Sequence, residues 1–496
     1  MDKTVKSKWI DQRIKRDEIE KYLIDGKNFI SEENIIQSLE KARKRDSKYI
    51  QDILKKAQSI QNLTLEETAA LLHVDDKNLI DQMKKVAIEI KKKVYNNRIV
   101  TFAPLYMGNY CVNNCLYCGF KSENTDAKRR VLSMEEIRKE VEVLAGKIGH
   151  KRLIVVYGEH PKNDIDYIVD SIKTVYDVKV PTKKGIGNIR RVNVNAPAFC
   201  IDDLKRLNQV GIGTYQVFQE TYHRATYERV HPKGTIKGDY DWRLYCMHRA
   251  FEAGIDDVGL GALFGLYDWK FEVLGLVSHA IELERRFGIG PHTVSFPRLE
   301  PALGTSLCKD SSYLVSDEDF MKLILVVRLA IPFTGMIITA RESPQIRKEA
   351  ISLGVTQTDA STKIGIGGYA DFDSGQEEKK QQFILGDTRN LDEVIREFAK
   401  MGYITSFCTA GYRCGRTGKC IMELLRSGQE GKFCKINAIL TFKEWLDDFS
   451  SQETKKIAEP VLRKEIEEVR QSMPEIFDKF YSLYQRVEKG ERDLYL

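Results

Sequence analysis

The spacing of hydrophobic positions changes near residue 98. From about residue 30 to residue 97, apolar residues recur at helical spacing, and Thr64 with Glu67 forms a capping-box pattern before the run AALLHV. We therefore expect residues 1–97 to form an all-helical N-terminal segment. Beyond this point, short apolar runs alternate with longer amphipathic stretches, which is the pattern of parallel strands joined by crossover helices.

Eight apolar runs predict eight strands. They begin at Ile99, Arg152, Arg191, Thr214, Asp257, Thr293, Gly335 and Gly354. A second capping-box pattern, at Ser133 and Glu136, indicates a helix after the first strand. Eight strands with crossover helices form a closed (β/α)8 barrel, so we predict an α/β fold with such a barrel over residues 98–370. Active sites of these barrels lie where the strands run out into the following loops.

The remaining residues, 371–496, predict an α-rich C-terminal module. The polar stretch ADFDSGQEEKKQQ, from Ala370 to Gln382, has the composition of a linker or mobile loop. Four cysteines follow within a short distance, and a helical tail rich in Glu, Lys and Arg continues to Leu496. These cysteines are Cys408, Cys414, Cys420 and Cys434.

Composition narrows the class of protein. Of the 496 residues, 30% are charged and 42% are hydrophobic, the balance of a globular protein. Basic residues are interspersed with acidic ones, and we expect no nucleic-acid partner. No export signal or membrane-spanning segment is visible, so a cytoplasmic location is expected. Ten cysteines in such a chain indicate reduced thiols used for metal binding or redox chemistry.

The segment YCVNNCLYCGF carries the strongest chemical signal. It places Cys111, Cys115 and Cys118 in C-x3-C-x2-C spacing directly after the first predicted strand. Three thiolates can hold three irons of a [4Fe-4S] cluster and leave the fourth iron open. That iron can chelate the amino and carboxylate groups of S-adenosylmethionine (SAM), whose reductive cleavage gives a 5′-deoxyadenosyl radical. A structural zinc site is the alternative, but it would need a fourth ligand, and none lies nearby in the sequence.

Two glycine-containing segments fit the same chemistry. Gly158 and Glu159, in YGEHP after the second strand, match the Gly-Glu element with which radical SAM enzymes contact the SAM amino group; a solvated turn glutamate is the alternative. Gly259 and Gly261, in VGLGALFG, would let the backbone approach an adenine ring, or serve packing. The GIGG at Gly365 lacks the helix and acidic partner of a dinucleotide site.

The chain resembles the family of tyrosine lyases that mature [FeFe]-hydrogenase. This family is related to 2-iminoacetate synthase of the thiazole pathway. Matching segments extend over nearly the whole chain. They include NRIVTFAPLYMGNYCVNNCLYCGF, GIGTYQVFQETYHR, HPKGTIKGDYDW, AGIDDVGLGALFGLYDWK, GPHTVSFPRLEPAL, NAILTFKEWLDDF and GERDLYL.

The resemblance implies a reaction and its cofactors. The adenosyl radical takes hydrogen from the amino group of L-tyrosine, and cleavage of Cα–Cβ gives p-cresol and dehydroglycine. A second, C-terminal iron-sulfur cluster then converts dehydroglycine to carbon monoxide and cyanide, whereas 2-iminoacetate synthase stops at dehydroglycine. An electron donor such as ferredoxin or flavodoxin, and other hydrogenase maturation proteins, are the implied partners.

The resemblance also assigns roles to individual residues. Arg341, in TARE after the seventh strand, is similar to the family's substrate arginine and would pair with a carboxylate bidentately; a surface salt bridge is the alternative. Glu220 and Tyr222 follow the fourth strand and could line the SAM or substrate pocket, or be structural. His292 corresponds to the histidine that holds an extra iron on the second cluster.

Two positions depart from the family pattern. The second cluster uses C-x2-C-x22-C, which would fall on Cys408, position 411 and Cys434, but position 411 is Gly. We expect Cys414 to replace the missing ligand, with Cys420 or a set of buried reduced cysteines as alternatives. Asp359 stands where the family has a serine in a glycine-rich turn, which would tighten an ammonium contact or indicate a different amino acid. A divergent paralogue with another substrate and an iron-sulfur carrier or scaffold remain open.

Overall fold

The computed structural model describes residues 3–43, 45–370, 379, 381–427 and 430–496. The stretch predicted as a linker, from Ala370 to Gln382, falls largely on residues 371–378 and 380, which lie outside the described residues. The strands are β1 (Arg98–Gly108), β2 (Arg152–Tyr157), β3 (Val180–Pro181), β4 (Ile186–Gly187), β5 (Arg191–Asn195), β6 (Tyr215–Gln216), β7 (Val258–Gly261), β8 (Thr293–Ser295), β9 (Gly335–Ile338), β10 (Gln357–Asp359) and β11 (Ile404–Ser406).

Eight of these strands close into a parallel barrel. Their order is β1-β2-β5-β6-β7-β8-β9-β10, and β10 pairs back onto β1 through Val100–Gln357 and Thr101–Thr358. Each of the eight predicted runs corresponds to one barrel strand, so the predicted (β/α)8 fold is confirmed. The sequence did not predict the antiparallel hairpin β3–β4, nor β11, which pairs with the start of β1 outside the closed ring.

The helices fall into three groups along the chain. Those before the barrel are α1 (Lys3–Arg13), α2 (Asp17–Glu20), α3 (Glu32–Ala42), α4 (Ser47–Gln58), α5 (Leu65–Leu72) and α6 (Lys77–Tyr95). Those within it are α7 (Met134–Glu142), α8 (Ile165–Asp177), α9 (Ile201–Gln209), α10 (Arg224–Val230), α11 (Tyr240–Leu244), α12 (Cys246–Glu252), α13 (Trp269–Phe287), α14 (Leu307–Asp310), α15 (Asp317–Ala330) and α16 (Pro344–Leu353). Those after it are α17 (Leu391–Lys400), α18 (Ala410–Arg413), α19 (Gly418–Arg426), α20 (Glu430–Asp448), α21 (Gln452–Ser472) and α22 (Pro474–Glu488).

Local sequence explains where several helices begin. Both predicted capping boxes are present: Thr64 caps α5 with Glu67, and Ser133 caps α7 with Glu136. Each box satisfies backbone N–H groups that the first helical turn leaves without partners. The N-terminal helices pack on the outer layer of the barrel, α3 and α5 against α13, and α4 and α6 against α15. Within the described ranges, no helix is long and apolar enough to cross a membrane.

The C-terminal helix α20 docks against the barrel through a buried ionic contact. Glu444 of α20 is fully buried, and one of its carboxylate oxygens lies 2.8 Å from Arg190 Nη2 and 3.3 Å from Lys151 Nζ. Its other oxygen accepts the backbone N–H of Asp493 at 2.8 Å. Trp445 adds a hydrogen bond from Nε1 to the Ile148 carbonyl at 3.2 Å. These contacts hold the C-terminal helices to the amino-terminal side of β2 and β5.

We predict that Glu444→Ala destabilises the protein by about 3–5 kcal/mol, because it leaves the buried Lys151 without its ion-pair partner and leaves Arg190 with Asp493 alone. Urea unfolding followed by circular dichroism measures the change. Glu453→Ala is the control, since the Glu453 side chain is 61% exposed and pairs with Arg396 at the surface, where such pairs contribute about 0–1 kcal/mol. Equal effects of the two substitutions would contradict the docking role of Glu444.

Candidate active site

A cavity of about 220 Å³ opens where the barrel strands end. Because the strands are parallel, the loops that follow them meet at this one rim. The loop after β1 contributes three cysteines, and the loops after β2, β6 and β9 contribute Glu159, Glu220 and Arg341. Most of the residues predicted for cofactor and substrate binding are therefore in one place.

Cys111, Cys115 and Cys118 all line this cavity. Backbone hydrogen bonds fold their loop tightly, from Cys118 N–H to the Cys115 carbonyl at 3.2 Å and from Val112 N–H to the Glu159 carbonyl at 2.8 Å. Burial raises the pKa of Cys111 to about 11 and that of Cys115 to about 12. Without a metal these two thiols are protonated at neutral pH, so binding of iron by their thiolates must release protons.

The donor set of the cavity fits a [4Fe-4S] cluster with one open iron. Among the described residues that line it, there is no fourth cysteine and no histidine. Structural zinc sites use four such ligands, whereas a cluster that binds SAM needs three thiolates and a free coordination position. The three thiols therefore favour the cluster over zinc.

Glu159 presents a carboxylate oxygen to the same cavity. The residue is 6% exposed, and its Oε2 accepts a hydrogen bond from Asn113 Nδ2 at 2.5 Å. Its Oε1 is buried and has no hydrogen-bond partner in the described part of the chain. Burial raises the pKa of this carboxyl. A buried acceptor without a donor is costly, and the ammonium group of SAM would satisfy it.

Gly158 allows the loops after β1 and β2 to approach each other. A Cβ at this position would lie 2.3 Å from the Tyr110 carbonyl oxygen, so no other residue fits without moving the cysteine loop. Gly158 thus allows the loop that carries Glu159 to lie close to the cysteine loop.

Glu220 is held by two cations. Lys237 Nζ donates to its Oε1 at 2.6 Å, and Arg243 Nη2 lies 3.6 Å from the same oxygen. Burial acts to raise the pKa of Glu220, but Lys237 and Arg243 outweigh it and the pKa is lowered. The backbone of Glu220 has a φ of +70°, a strained value for a residue other than glycine. Its carboxylate is thus charged and places Lys237 at the cavity wall.

Arg341 faces the cavity without a counter-ion. Its guanidinium carbon lies 3.4 Å from the centre of the Phe383 ring, and no carboxylate in the described residues forms an ion pair with it. Burial lowers its pKa, although an arginine remains cationic at neutral pH. An unpaired guanidinium in a closed cavity is suited to bind a carboxylate with two parallel hydrogen bonds.

Asp359 also lines the cavity, but its oxygens are engaged within the protein. Oδ1 accepts the backbone N–H of Ala340 at 2.8 Å, and Oδ2 accepts the Thr362 hydroxyl at 2.8 Å. Arg347 Nη2 lies 3.7 Å from Oδ1. Asp359 therefore fixes the backbone next to Arg341, and its expected effect on an ammonium contact or on the choice of amino acid stays a prediction.

Tyr222 lies away from the cavity. It is fully buried, its hydroxyl is 3.1 Å from His279 Nδ1 in α13, and its backbone N–H donates to Glu272 at 2.8 Å. Of the two roles that the sequence left open for Tyr222, these contacts with α13 support the structural one, and Tyr222 is not among the residues that line the cavity.

Gly259 and Gly261 make room for neighbouring strands. A Cβ at Gly259 would lie 2.7 Å from Gln216 Cγ, and one at Gly261 would lie 2.6 Å from the Phe218 ring. Gln216 and Phe218 both line the cavity, whereas the two glycines are not among its lining residues. The two glycines thus make room for Gln216 and Phe218 at the wall, and the approach of their backbone to an adenine ring stays a prediction.

A second, smaller cavity of about 40 Å³ lies at the other end of the barrel. Its lining includes Cys408, Cys434 and His292, and His292 stands just before β8, at the amino end of the strands. His292 Nδ1 is buried and has no hydrogen-bond partner among the described residues. The structure therefore brings together three of the residues assigned to the second cluster.

The expected third thiolate is not at this cavity. Cys414 is exposed, with its sulfur 3.9 Å from the Leu496 carbonyl oxygen, and Cys420 is exposed as well. Gly411 lines the cavity, and a Cβ there would meet its nearest atom at 3.7 Å, so this position is open.

Sequence reasoning missed several polar residues of the main cavity, among them Asn113, Lys237, Arg243 and Gln382. Asn113 lies between the first two cysteines of the motif, which is a signal that could have identified it. Lys237 belongs to the segment HPKGTIKGDYDW, and Arg243 follows it directly.

Comparisons with known proteins agree with this geometry. The model of the radical SAM superfamily matches residues 105–274, and that of the Biotin and Thiamin Synthesis associated domain matches residues 295–404. The 2-iminoacetate synthase of Escherichia coli (strain K12) is 30% identical over 351 residues, which cover 70% of this chain and 88% of the relative.

Two solved structures extend the likeness over almost the whole chain. The crystal structure of HydG, a maturase of the [FeFe]-hydrogenase, superposes with a TM-score of 0.89 at 50% identity and covers 94% of this chain and 100% of that chain. HydG from Carboxydothermus hydrogenoformans superposes with a TM-score of 0.75 at 34% identity and covers 92% and 98%.

The barrel, the three-cysteine loop and the superfamily match together define a radical SAM enzyme. More narrowly, the chain belongs to the family that contains 2-iminoacetate synthase and the [FeFe]-hydrogenase maturase HydG. Its cofactors are accordingly a [4Fe-4S] cluster with SAM, and the relatives are consistent with a second cluster in the C-terminal part.

We predict that Glu159→Gln weakens SAM binding about 10- to 100-fold, because a charged hydrogen bond contributes about 1.5–3 kcal/mol. Titration of SAM into the reduced, iron-loaded protein, followed by the electron paramagnetic resonance (EPR) spectrum of the cluster, measures the affinity. Glu142→Gln, at the exposed last residue of α7, is the control and leaves it unchanged. Unaltered affinity in Glu159→Gln would contradict the assignment.

Proposed function

We propose that the chain is a radical SAM lyase that cleaves the Cα–Cβ bond of L-tyrosine to p-cresol and dehydroglycine during [FeFe]-hydrogenase maturation. The observation that carries the proposal is the unpaired Arg341, which shares one cavity with the cysteine loop and the unpartnered oxygen of Glu159. The 50% identity with HydG over nearly the whole chain supports the same assignment.

Different residues of the cavity bind SAM and the substrate. When bound, the cluster and SAM supply a 5′-deoxyadenosyl radical. Glu159 accepts a hydrogen bond from the SAM ammonium group, and Arg341 pairs with the carboxylate of the amino acid. The Phe383 ring fixes the plane of the guanidinium, and Asp359 holds the backbone before it. Such positioning matters because a reactive radical must meet the correct hydrogen and no solvent.

Apolar side chains line the cavity that Glu159 and Arg341 share, and they can receive an aromatic ring. Phe102, Phe120, Ile154, Val156 and Ile337 contribute to the cavity wall. An aromatic amino acid would bury its ring against them while its carboxylate binds Arg341, which favours tyrosine over a small or charged amino acid.

A second candidate function is that of 2-iminoacetate synthase, which stops at dehydroglycine. Gly411 favours it, because the C-terminal cavity offers Cys408, Cys434 and His292 but lacks a third thiolate. The two candidates share the first reaction and differ in whether carbon monoxide and cyanide follow. A cytoplasmic enzyme served by ferredoxin or flavodoxin, alongside other maturation proteins, agrees with ten cysteines that form no disulfide in the described part of the chain.

An anaerobic product assay tests the proposal. Iron-reconstituted protein is incubated with SAM, dithionite and tyrosine, and 5′-deoxyadenosine, p-cresol and carbon monoxide are quantified. We expect 5′-deoxyadenosine and p-cresol in similar amounts, with carbon monoxide lost selectively in Cys408→Ser. If p-cresol forms without carbon monoxide in the unaltered protein, the synthase function holds. If 5′-deoxyadenosine forms without p-cresol, the substrate is not tyrosine.

We predict that Arg341→Lys raises the KM for tyrosine about 10- to 100-fold, because lysine cannot form the bidentate pair and charged hydrogen bonds contribute about 1.5–3 kcal/mol. SAM affinity should not change. Arg396→Lys is the control, since this arginine pairs with Glu453 and lies outside the cavity. An equal rise of KM in both variants, or none in Arg341→Lys, would contradict the carboxylate role.

A further inference from the structure

Residues 381–387, which we call the strap, join three loops at the rim of the main cavity. The Gly119 N–H, after β1, donates to the Gln382 carbonyl at 3.1 Å. The Ile384 N–H donates to the Pro301 carbonyl at 3.0 Å, and the Gly386 N–H donates to the Ala340 carbonyl at 2.8 Å. The strap thus connects the cysteine loop with the loops that follow β8 and β9.

The strap lies directly against the cysteine loop. A Cβ at Gly119, the residue after Cys118, would lie 2.8 Å from the Gln381 carbonyl oxygen and 3.0 Å from that of Gln382. Only a glycine permits this close approach without displacement of the backbone. Backbone contacts of Gly119 with the carbonyl groups of Gln381 and Gln382 therefore fix the position of Gln382 relative to Cys118.

The side chain of Gln382 reaches the sulfur of Cys118. Its Nε2 donates to Cys118 Sγ at 3.5 Å, and its Oε1 accepts the Tyr106 hydroxyl at 3.0 Å. The opposite orientation of the amide would place its oxygen against the sulfur. A thiolate sulfur would repel this oxygen, because both atoms carry negative charge. The Phe120 N–H points to the same sulfur at 3.4 Å.

Donors to a cluster-bound sulfur change the energetics of the cluster. A hydrogen bond to the sulfur offsets part of the negative charge, so it stabilises the reduced state more than the oxidised state and raises the reduction potential. The effect is larger where water is excluded, and Tyr106 is buried in the wall of the cavity that Gln382 also lines.

We infer that Gln382 is a positioning residue that raises the reduction potential of the cluster by donating its amide N–H to Cys118, with Tyr106 orienting the amide. The inference rests on the cluster assigned to the cysteine loop, but not on the identity of the substrate. Gln382 lies 264 positions from Cys118 in the sequence, beyond the last barrel strand.

The test is an EPR-monitored redox titration of the full-length, iron-loaded protein with SAM and without tyrosine. Gln382→Met keeps the length of the side chain but removes the donor, and we expect a potential more negative than that of the unaltered protein. Tyr106→Phe frees the amide and gives a smaller shift in the same direction. Ile384→Ala, on the strap but with a side chain 44% exposed to solvent, leaves the potential unchanged.

An unchanged potential in Gln382→Met, at an iron content equal to that of the unaltered protein, overturns the inference, even if the yield of p-cresol falls. Should Gln382→Met fail to retain iron, the potential of Tyr106→Phe decides instead, because this variant still contains Gln382. An unchanged potential in Tyr106→Phe would then overturn the inference. Failure of the tyrosine lyase function would appear in the product assay and would leave this titration interpretable.

Discussion

The pairing of β1 with three other strands is the contact on which the rest of the structure depends. Its first residues pair with β10 and β11, and its second half pairs with β2, while all eleven residues are buried. The pairing with β10 closes the barrel, and closure brings the carboxyl ends of eight parallel strands to one rim. The cysteine loop leaves β1 at that rim, so the position of the cluster ligands follows from the closure.

The same rim places two unsatisfied polar groups where ligands with complementary charges can bind. The free oxygen of Glu159 costs about 1–3 kcal/mol when left without a partner in a buried site. The Arg341 guanidinium lines the same cavity and forms no ion pair in the described part of the chain. Such a cost is typical of functional sites, since the ligands recover it on binding. In contrast, Asp359 and Glu220 have their partners within the protein and serve to hold neighbouring groups.

Much of the fold and part of the site could be predicted from the sequence. The eight strands follow from their apolar runs, and the cysteine triplet identifies its own chemistry because the three ligands are adjacent in the chain. Tyr222 could not be placed, because its position after a strand does not tell which side of the barrel wall the side chain takes. Cys414 was expected at the second site from spacing alone, but the turn after α18 directs it to the surface. Gln382 was missed because the contact is made across most of the chain.

The central claim is that one cavity, lined by the three cluster cysteines, holds SAM by Glu159 and the substrate amino acid by Arg341. An anaerobic crystal structure of the iron-loaded protein with SAM and tyrosine tests this most directly. We predict that the SAM amino group lies within hydrogen-bond distance of Glu159 Oε1 and that both carboxylate oxygens of tyrosine contact the Arg341 guanidinium. A tyrosine carboxylate bound by any other residue, or a SAM amino group away from Glu159, would contradict it.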